Sequence, residues 1–269
     1  MDKKPRTKTS PPIVTLTTDF GLSDGYVGVV KGVILGIARN AQIVDLTHDI
    51  PPWDIAAAAW NIQAAYKFFP SDAIHLVVID PAVGSDQRGL VLSGEGGTFV
   101  GPDNGVLSRL LDDDYDWKAR VLNQSGYWLA TVSNTFHARD IYGSVCGHLA
   151  AGINASEIGD PVALQDIKKL PATHFHVEKN VVEGEIVYID RFGNLITNIP
   201  GSFADRIATC DVNDKDCMTV GKTYSTARKG APCVFCGSHG FVEIGVFQGN
   251  ASAYFGAERG APVRLELKS

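Results

Sequence analysis

The sequence predicts an α/β protein in two parts: an N-terminal α/β/α domain on a mostly parallel sheet, followed by a smaller all-β domain. Three observations point there. From Ile13 to about Ile153, short apolar runs alternate with helical patterns, the signature of strand–helix–strand units. Beyond the stretch Lys168 to Pro171 the texture changes to short β-rich runs separated by Gly, Asn and Asp turns. At roughly 150 residues per domain, 269 residues also suggest two domains. The boundary is placed near residues 166 to 178, giving a disordered tail over 1–12, an α/β domain over 13–170 and a β domain over 178–269.

The elements follow in order. Strands are predicted at Ile13 to Thr18, Gln42 to Leu46 and Ile74 to Ile79. Between the first two, Tyr26, Val29, Val30, Val33, Ile34 and Ile37 recur at the spacing of one helical face, and Asn40 ends the pattern. Asp54 stands as N-cap before the Ala-rich IAAAAWNIQAAYKFF, a second helix leading through Pro70 into the third strand. A hairpin of Leu90 to Leu92 with Thr98 to Val100, a short helix after Asn104 and another helix starting near His137 complete the first part. In the second, strands are predicted at Glu185 to Ile189, Met218 to Thr223, Cys233 to Phe235, Val242 to Phe247 and Val263 to Leu267.

Composition narrows the class. Hydrophobic residues make up 45% and charged residues 20%, which excludes disordered, collagenous and coiled-coil chains. The apolar runs are broken by Gly, Lys, Asp or Pro well short of the roughly 18 residues a membrane span needs, so no membrane partner is expected. A formal charge of -6 gives no field to attract a polyanion, so nucleic acid is not an expected partner either. The opening MDKKPRTKTSPP is basic but lacks the apolar centre of a secretory signal. Five cysteines without framework spacing favour a reducing, cytoplasmic compartment, in which the sequons at Asn123, Asn154 and Asn250 have no meaning.

Polar clusters stand where the first three strands end: Thr17-Thr18-Asp19, Thr47-His48-Asp49 and Asp80-Pro81. Ligands of open α/β sheets bind at the carboxyl ends of strands, so these ends suggest one polar site, with Asp19 able to accept both hydroxyls of a ribose. An Asp capping the following turn is the plainer alternative. Asp19-Phe20-Gly21 also spells a kinase triplet, but no Gly-rich loop, strand lysine or catalytic loop accompanies it. Neither a P-loop nor a GxGxxG fingerprint is present.

In chain order, TDFGLSDGYVGVVKG, THDIPPWD, DPAVGSDQR, GPDNG, TFHARD and IDRFGNLITNI resemble the motifs of the S-adenosylmethionine hydroxide adenosyltransferases, or S-adenosylmethionine hydrolases. These are relatives of the fluorinating and chlorinating adenosyltransferases. The resemblance covers nearly the whole chain from Ile13. It implies an α/β domain followed by a β-barrel-like domain, and a homotrimer whose sites lie between one subunit's first domain and a neighbour's second. The implied reaction is displacement at C5′ of S-adenosylmethionine by a water-derived nucleophile, giving adenosine and L-methionine. S-adenosylmethionine is then the substrate, and no cofactor is expected.

The resemblance also implies residue roles. Asp80, Arg88 and His137 match the Asp, Arg and His that surround the attacking water. Halogenating relatives carry Tyr in place of Asp80, and a carboxylate there repels halide while holding water. The family commonly places its Arg seven residues after the Asp, where this chain has Gln87, with Arg88 next. One step along an extended segment reverses the face a side chain points to, so Arg88 and the alternative Gln87 stay open at this point. On the substrate side, Asp19 matches the ribose-binding residue, Trp53 packs beside the nucleoside and Phe136 lines the pocket. Asp190 matches the residue holding the methionine ammonium, with Phe192 and Asn194 nearby, and Ser238 meets the carboxylate. Gly237 stands where family members commonly have Asn.

Cys210, Cys217, Cys233 and Cys236 invite comparison with a tetrahedral zinc site. Their spacing is not a usual knuckle, and residues i and i+3 of a strand face opposite ways, so no metal is expected. His174 and His176 lie in the interdomain segment without a partner motif and read as a solvated connector. Two other readings are a halide-using adenosyltransferase, opposed by Asp80, and a non-catalytic S-adenosylmethionine sensor, motivated by the displaced Arg.

Overall fold

A computed structural model describes residues 10–217 and 219–268; most of the expected tail, and Met218 of one expected strand, lie outside them. The chain divides into two compact units, meeting in sequence at Leu170 and Pro171.

In the first unit, β1 (Ile13–Thr18), β2 (Gln42–Thr47), β3 (Ile74–Val78), β4 (Gly89–Gly94), β5 (Gly97–Pro102), β6 (Lys118–Val121) and β7 (Pro161–Val162) form one sheet in the order β2-β1-β3-β5-β4-β6-β7. The pairs from β2 to β5 are parallel, and those from β5 to β7 antiparallel. Strand alternation separates two faces. Val14, Leu16, Leu76 and Val78 pack on one face with helices α1 (Tyr26–Ile37) and α3 (Ser144–Ala150). The other face carries Thr15 bonded to His75 at 2.8 Å, His75 stacked on Phe99 at 4.6 Å and Tyr66, just beyond helix α2 (Ile55–Ala65), edge-on to Phe99. Each fully buried Leu or Ile here stabilises the unit by about 1.5–3 kcal/mol.

The second unit is a curled antiparallel sheet of half-barrel form. Its strands are β8 (His176–Glu178), β9 (Val181–Ile189), β10 (Leu195–Pro200), β11 (Ile207–Val212), β12 (Lys215–Asp216), β13 (Pro232–Cys236), β14 (Phe241–Val246) and β15 (Pro262–Leu267). The order is β12-β11-β15-β9-β10-β14-β13, with β8 also on β9 and a short helix α4 (Ala251–Phe255) after β14. Strand β9 is the spine: its first half pairs with β15 and its second half with β10. At the changeover, a Cβ on Gly184 would lie 2.4 Å from the Asn198 side chain, so only glycine lets the curled strands approach.

Four expectations are corrected. Helix α1 is real, but its buried stripe is Val27, Val30 and Ile34, leaving Tyr26 and Val29 about half exposed. The segment at His137 opens as a π-helical turn, Ala138–Gly143, and only then becomes α3. From Thr219 to Thr223 there is one isolated bridge, Val220 with Val234, because the chain doubles back so that Gly221 lies against Thr226. The short helix expected after Asn104 is a 3-10 turn, Ser108–Asp112.

Candidate active site

Parallel pairing brings the strand ends of the first unit to one edge. Thr18 of β1 lies opposite Val78 of β3, so Asp19 and Asp80 leave the sheet from adjacent strands on the same side. Between them opens a cavity of about 310 Å³ lined by Asp19, Trp53, Asp80, Phe136 and His137 among others. Five sequence-predicted residues therefore share one concavity. Phe20, Tyr26 and Phe136 add an edge-to-face aromatic cluster, with centroids 5.3 to 6.1 Å apart, to its wall.

Opposing effects act on Asp80. Burial raises its pKa, because a low-dielectric setting disfavours the ionised carboxyl. Working against burial, Gln87 Nε2 donates to Oδ1 at 2.8 Å, Tyr142 Oη donates to Oδ2 at 3.3 Å, and the Ala82 backbone and the nearby His137 also favour the anion. The net pKa remains above the usual carboxylate value. Burial and the neighbouring Asp80 charge push the Tyr142 phenol up, so it stays protonated and serves as a donor.

Arg88 is not at this centre. Its Nε pairs with Asp103 at 2.6 Å and its Nη2 donates to the Asp166 carbonyl at 2.5 Å, while Asp103 also accepts from the Lys168 backbone at 2.8 Å. Just before β4, adjacent side chains meet different partners: Gln87 meets Asp80, and Arg88 meets Asp103.

A buried carboxylate shapes the turn carrying Phe136 and His137. Asp140 Oδ2 accepts from the Ser133 backbone at 2.8 Å and from its hydroxyl at 2.7 Å, and that hydroxyl accepts from the Phe136 N–H at 3.1 Å. Arg139 Nε reaches Asp140 at 2.5 Å while its guanidinium lies over the Phe136 ring at 5.2 Å. Burial alone would raise the Asp140 pKa, but the Arg139 and Ser133 hydrogen bonds outweigh it and the carboxyl sits below its ordinary value.

The loop after β1 is equally tied. Asp19 Oδ2 accepts from the Trp53 N–H at 2.9 Å, holding Trp53 in a left-handed conformation with φ of 66° that a bulky residue rarely adopts. The Trp53 indole is 72% exposed at the cavity mouth and so is free to meet a ligand rather than fill the core. Beneath it, His48 Nδ1 bonds Thr18 Oγ1 at 2.8 Å, and the His48 carbonyl accepts from the Gly21 N–H at 2.9 Å.

In the second unit, Asp190 ends β9 and Asn194 begins the return into β10. Asp190 Oδ1 accepts from the Phe192 and Asn194 N–H groups, each at 2.9 Å, and Oδ2 from Asn194 Nδ2 at 2.8 Å. Phe192 sits at the tip, 74% exposed. Ser238 is exposed on the turn between β13 and β14. Of the cysteines, Cys210, Cys217 and Cys233 are buried and Cys236 is exposed; among the described residues no group of three or more His, Cys, Asp or Glu is placed to hold a metal ion. Among them, too, no helix is long and apolar enough to cross a membrane.

The description "SAM hydroxide adenosyltransferase N-terminal domain" matches residues 14–159, and the corresponding C-terminal domain matches 184–264. The chain belongs to the SAM hydroxide adenosyltransferase family. Among relatives of this chain, the (R)-S-adenosyl-L-methionine hydrolase of Thermus thermophilus is 34% identical over 94% of this chain and 98% of its own. That of Methanocaldococcus jannaschii is 33% identical over 89% and 90%. A fluorinase from an Actinoplanes species is 29% identical over 70% and 72%. A solved structure of an uncharacterized conserved protein from Thermotoga maritima superposes with a TM-score of 0.86 at 32% identity, over 94% of this chain and 99% of that one.

Sequence reasoning missed Tyr142, Tyr26 and Asp140. Tyr142 lies five residues beyond His137, and the π-helical turn, which no periodicity announces, carries it to Asp80. Tyr26 was legible as an aromatic on α1 but was assigned to its buried stripe.

The geometry predicts how Asp80 titrates. Gln87 stabilises only the ionised form, so Gln87→Leu is expected to raise the Asp80 pKa further, and Arg88→Ala to leave it unchanged, in a carbon-13 NMR titration of the Asp80 carboxyl. The reverse pattern would return Arg88 to the site.

Proposed function

We propose that this protein hydrolyses S-adenosyl-L-methionine to adenosine and L-methionine by attack of a water-derived nucleophile on C5′. The observation that carries the reading is the Asp80 carboxyl, held between Gln87 and Tyr142 in a cavity shared with Asp19 and His137. The hydrolases of Thermus and Methanocaldococcus, similar over most of their length, support it.

In the step, the water oxygen forms a bond to C5′ while the C5′–S bond breaks and its electron pair returns to sulfur. The sulfonium thereby becomes a neutral thioether, so the leaving side needs no acid. The proton lost from water passes to Asp80, whose raised pKa makes it a better base than an ordinary carboxylate, with His137 orienting the water and sharing that proton. Neutral Gln87 and Tyr142 fix the carboxylate without adding a cation that would weaken it. The cavity's further contribution is alignment of oxygen, C5′ and sulfur. The remaining lone pairs of Asp19 take the ribose hydroxyls, with Trp53 and Phe136 flanking the nucleoside. Asp190 takes the methionine ammonium, Phe192 and Asn194 border that end, and Ser238 meets the carboxylate. This chemistry calls for no cofactor.

A second reading, halide transfer, is favoured only by the similarity to the Actinoplanes fluorinase. A carboxylate at position 80 opposes it by repelling an anion. In oxygen-18 water the hydrolase is expected to give adenosine labelled at the 5′-hydroxyl and unlabelled methionine, with fluoride and chloride changing neither product. A 5′-halogenated nucleoside, label in methionine, or tight binding without turnover would overturn the reading.

We further propose a homotrimer with each site shared between one chain's first unit and a neighbour's second. In support, helix α1 leaves Gly28, Val29, Gly32, Leu35 and Gly36 exposed, and the edge strand β2 leaves Val44 exposed, apolar surface suited to a contact between chains. The candidates for the two ends of the substrate also fall in different units. Mixing Asp80→Ala with Asp190→Ala chains is expected to restore activity after subunit exchange. Inactive mixtures, with exchange verified by mass, would mean that each site belongs to one chain.

A further inference from the structure

Asp190 has three donors of its own, yet the polar contacts around it do not stop there. Asn194 is buried, and its amide nitrogen has two hydrogens. One goes to Asp190 Oδ2 at 2.8 Å and the other to Tyr224 Oη at 3.2 Å. Tyr224 Oη, having accepted, gives its single hydrogen to Glu243 Oε1 in a short contact. Glu243 stands on β14, a buried acid on the face opposite the core residues Val242 and Ile244, where it pairs across the strands with Phe235.

We infer that Tyr224 and Glu243 are positioning residues for Asp190, forming a directional hydrogen-bond chain that fixes the Asn194 amide and so aims the Asp190 carboxylate at the ammonium of an α-amino acid group. The inference rests on the reading of Asp190 as the ammonium-binding residue and assigns two residues that act through it.

The direction of the chain follows from counting hydrogens. An ionised Glu243 can only accept, so Tyr224 must donate to it, which leaves the phenol a lone pair facing Asn194. The Asn194 amide must then turn its nitrogen, not its oxygen, toward both Tyr224 and Asp190. Were the amide reversed, its carbonyl would face the Asp190 carboxylate and repel it.

Packing keeps the phenol aimed. Its ring meets Phe235 edge-on at 4.7 Å, and a Cβ on Gly245 would lie 2.6 Å from it. Glu243 is similarly confined, since a Cβ on Gly237 would lie 2.3 Å from Oε2. Burial raises the Glu243 pKa and the Asp190 charge adds to that, while the Tyr224 hydrogen bond and His239 oppose it. A costly buried acid facing the back of a candidate binding residue is the kind of expense that positioning explains.

The test uses the full-length protein and S-adenosyl-L-methionine. Tyr224→Phe keeps the ring and removes the hydroxyl; Glu243→Gln keeps the shape and removes the charge; Gly237→Ala crowds the carboxyl while leaving every hydrogen-bonding group in place. Tyr224→Phe and Glu243→Gln are each expected to raise KM roughly tenfold, more than they lower kcat, and Gly237→Ala to raise it in the same direction. Inhibition by 5′-deoxy-5′-dimethylsulfonioadenosine, which has the nucleoside and sulfonium but no amino acid group, is expected to be unchanged in all three. Asp190→Asn is the reference. If it raises KM while Tyr224→Phe and Glu243→Gln do not, the chain of positioning is overturned and the role of Asp190 stands. If it leaves KM unchanged, the reading of Asp190 itself fails. Equal loss of affinity for the analogue would make Tyr224 and Glu243 merely structural.

Discussion

The cost of burying one carboxylate, Asp80, governs the arrangement of the first unit's cavity. A carboxyl at the end of a central parallel strand is partly shielded from water, and its ionised form must be supported by donors. Those donors come from three places: Gln87 in the lead into β4, Tyr142 in the π-helical turn and the Ala82 backbone just after the strand. None carries a formal charge. Burial outweighs them, and the carboxyl keeps a higher affinity for a proton than it has in water, the property a base for water requires.

The sheet topology makes this possible. Because β1, β2 and β3 are parallel, their carboxyl ends coincide, and loops from all of them converge without long excursions. Each loop is then locked by a hydrogen-bonded side chain that does not itself face the cavity: Asp140 beneath Phe136 and His137, His48 beneath the loop carrying Asp19. Arg88 belongs to this supporting set. Its pairing with Asp103 and the Asp166 carbonyl joins the start of β4 to the end of the unit.

Much of this was legible in the sequence, for definable reasons. Strands β1, β2 and β3 and the helix capped by Asp54 are written in periodicity and capping chemistry, and the Asp54 side chain does accept from the Ala57 N–H at 3.0 Å. The polar strand ends pointed to the cavity because parallel sheets leave few other places for a ligand. What was not legible depends on facing direction. The choice between Gln87 and Arg88 turns on a single-residue alternation in a segment outside any strand, and the buried stripe of α1 is offset from the richest apolar pattern because Tyr26 opens onto the cavity. Tyr142, Tyr224 and Glu243 are reached through tertiary contacts: a phenol or acid with no local pattern carries no signal until the chain folds around it.

The central claim is that the Asp80 carboxylate activates water for attack at C5′. The most direct measurement is the single-turnover rate of adenosine formation by Asp80→Asn, an isosteric change that removes the base and replaces one accepting oxygen by a donor, alongside the dissociation constant for S-adenosyl-L-methionine. A rate lower by about 10²- to 10⁴-fold with nearly unchanged binding is the result this account predicts. A rate close to that of the unaltered protein would contradict it and move the activation of water to another group.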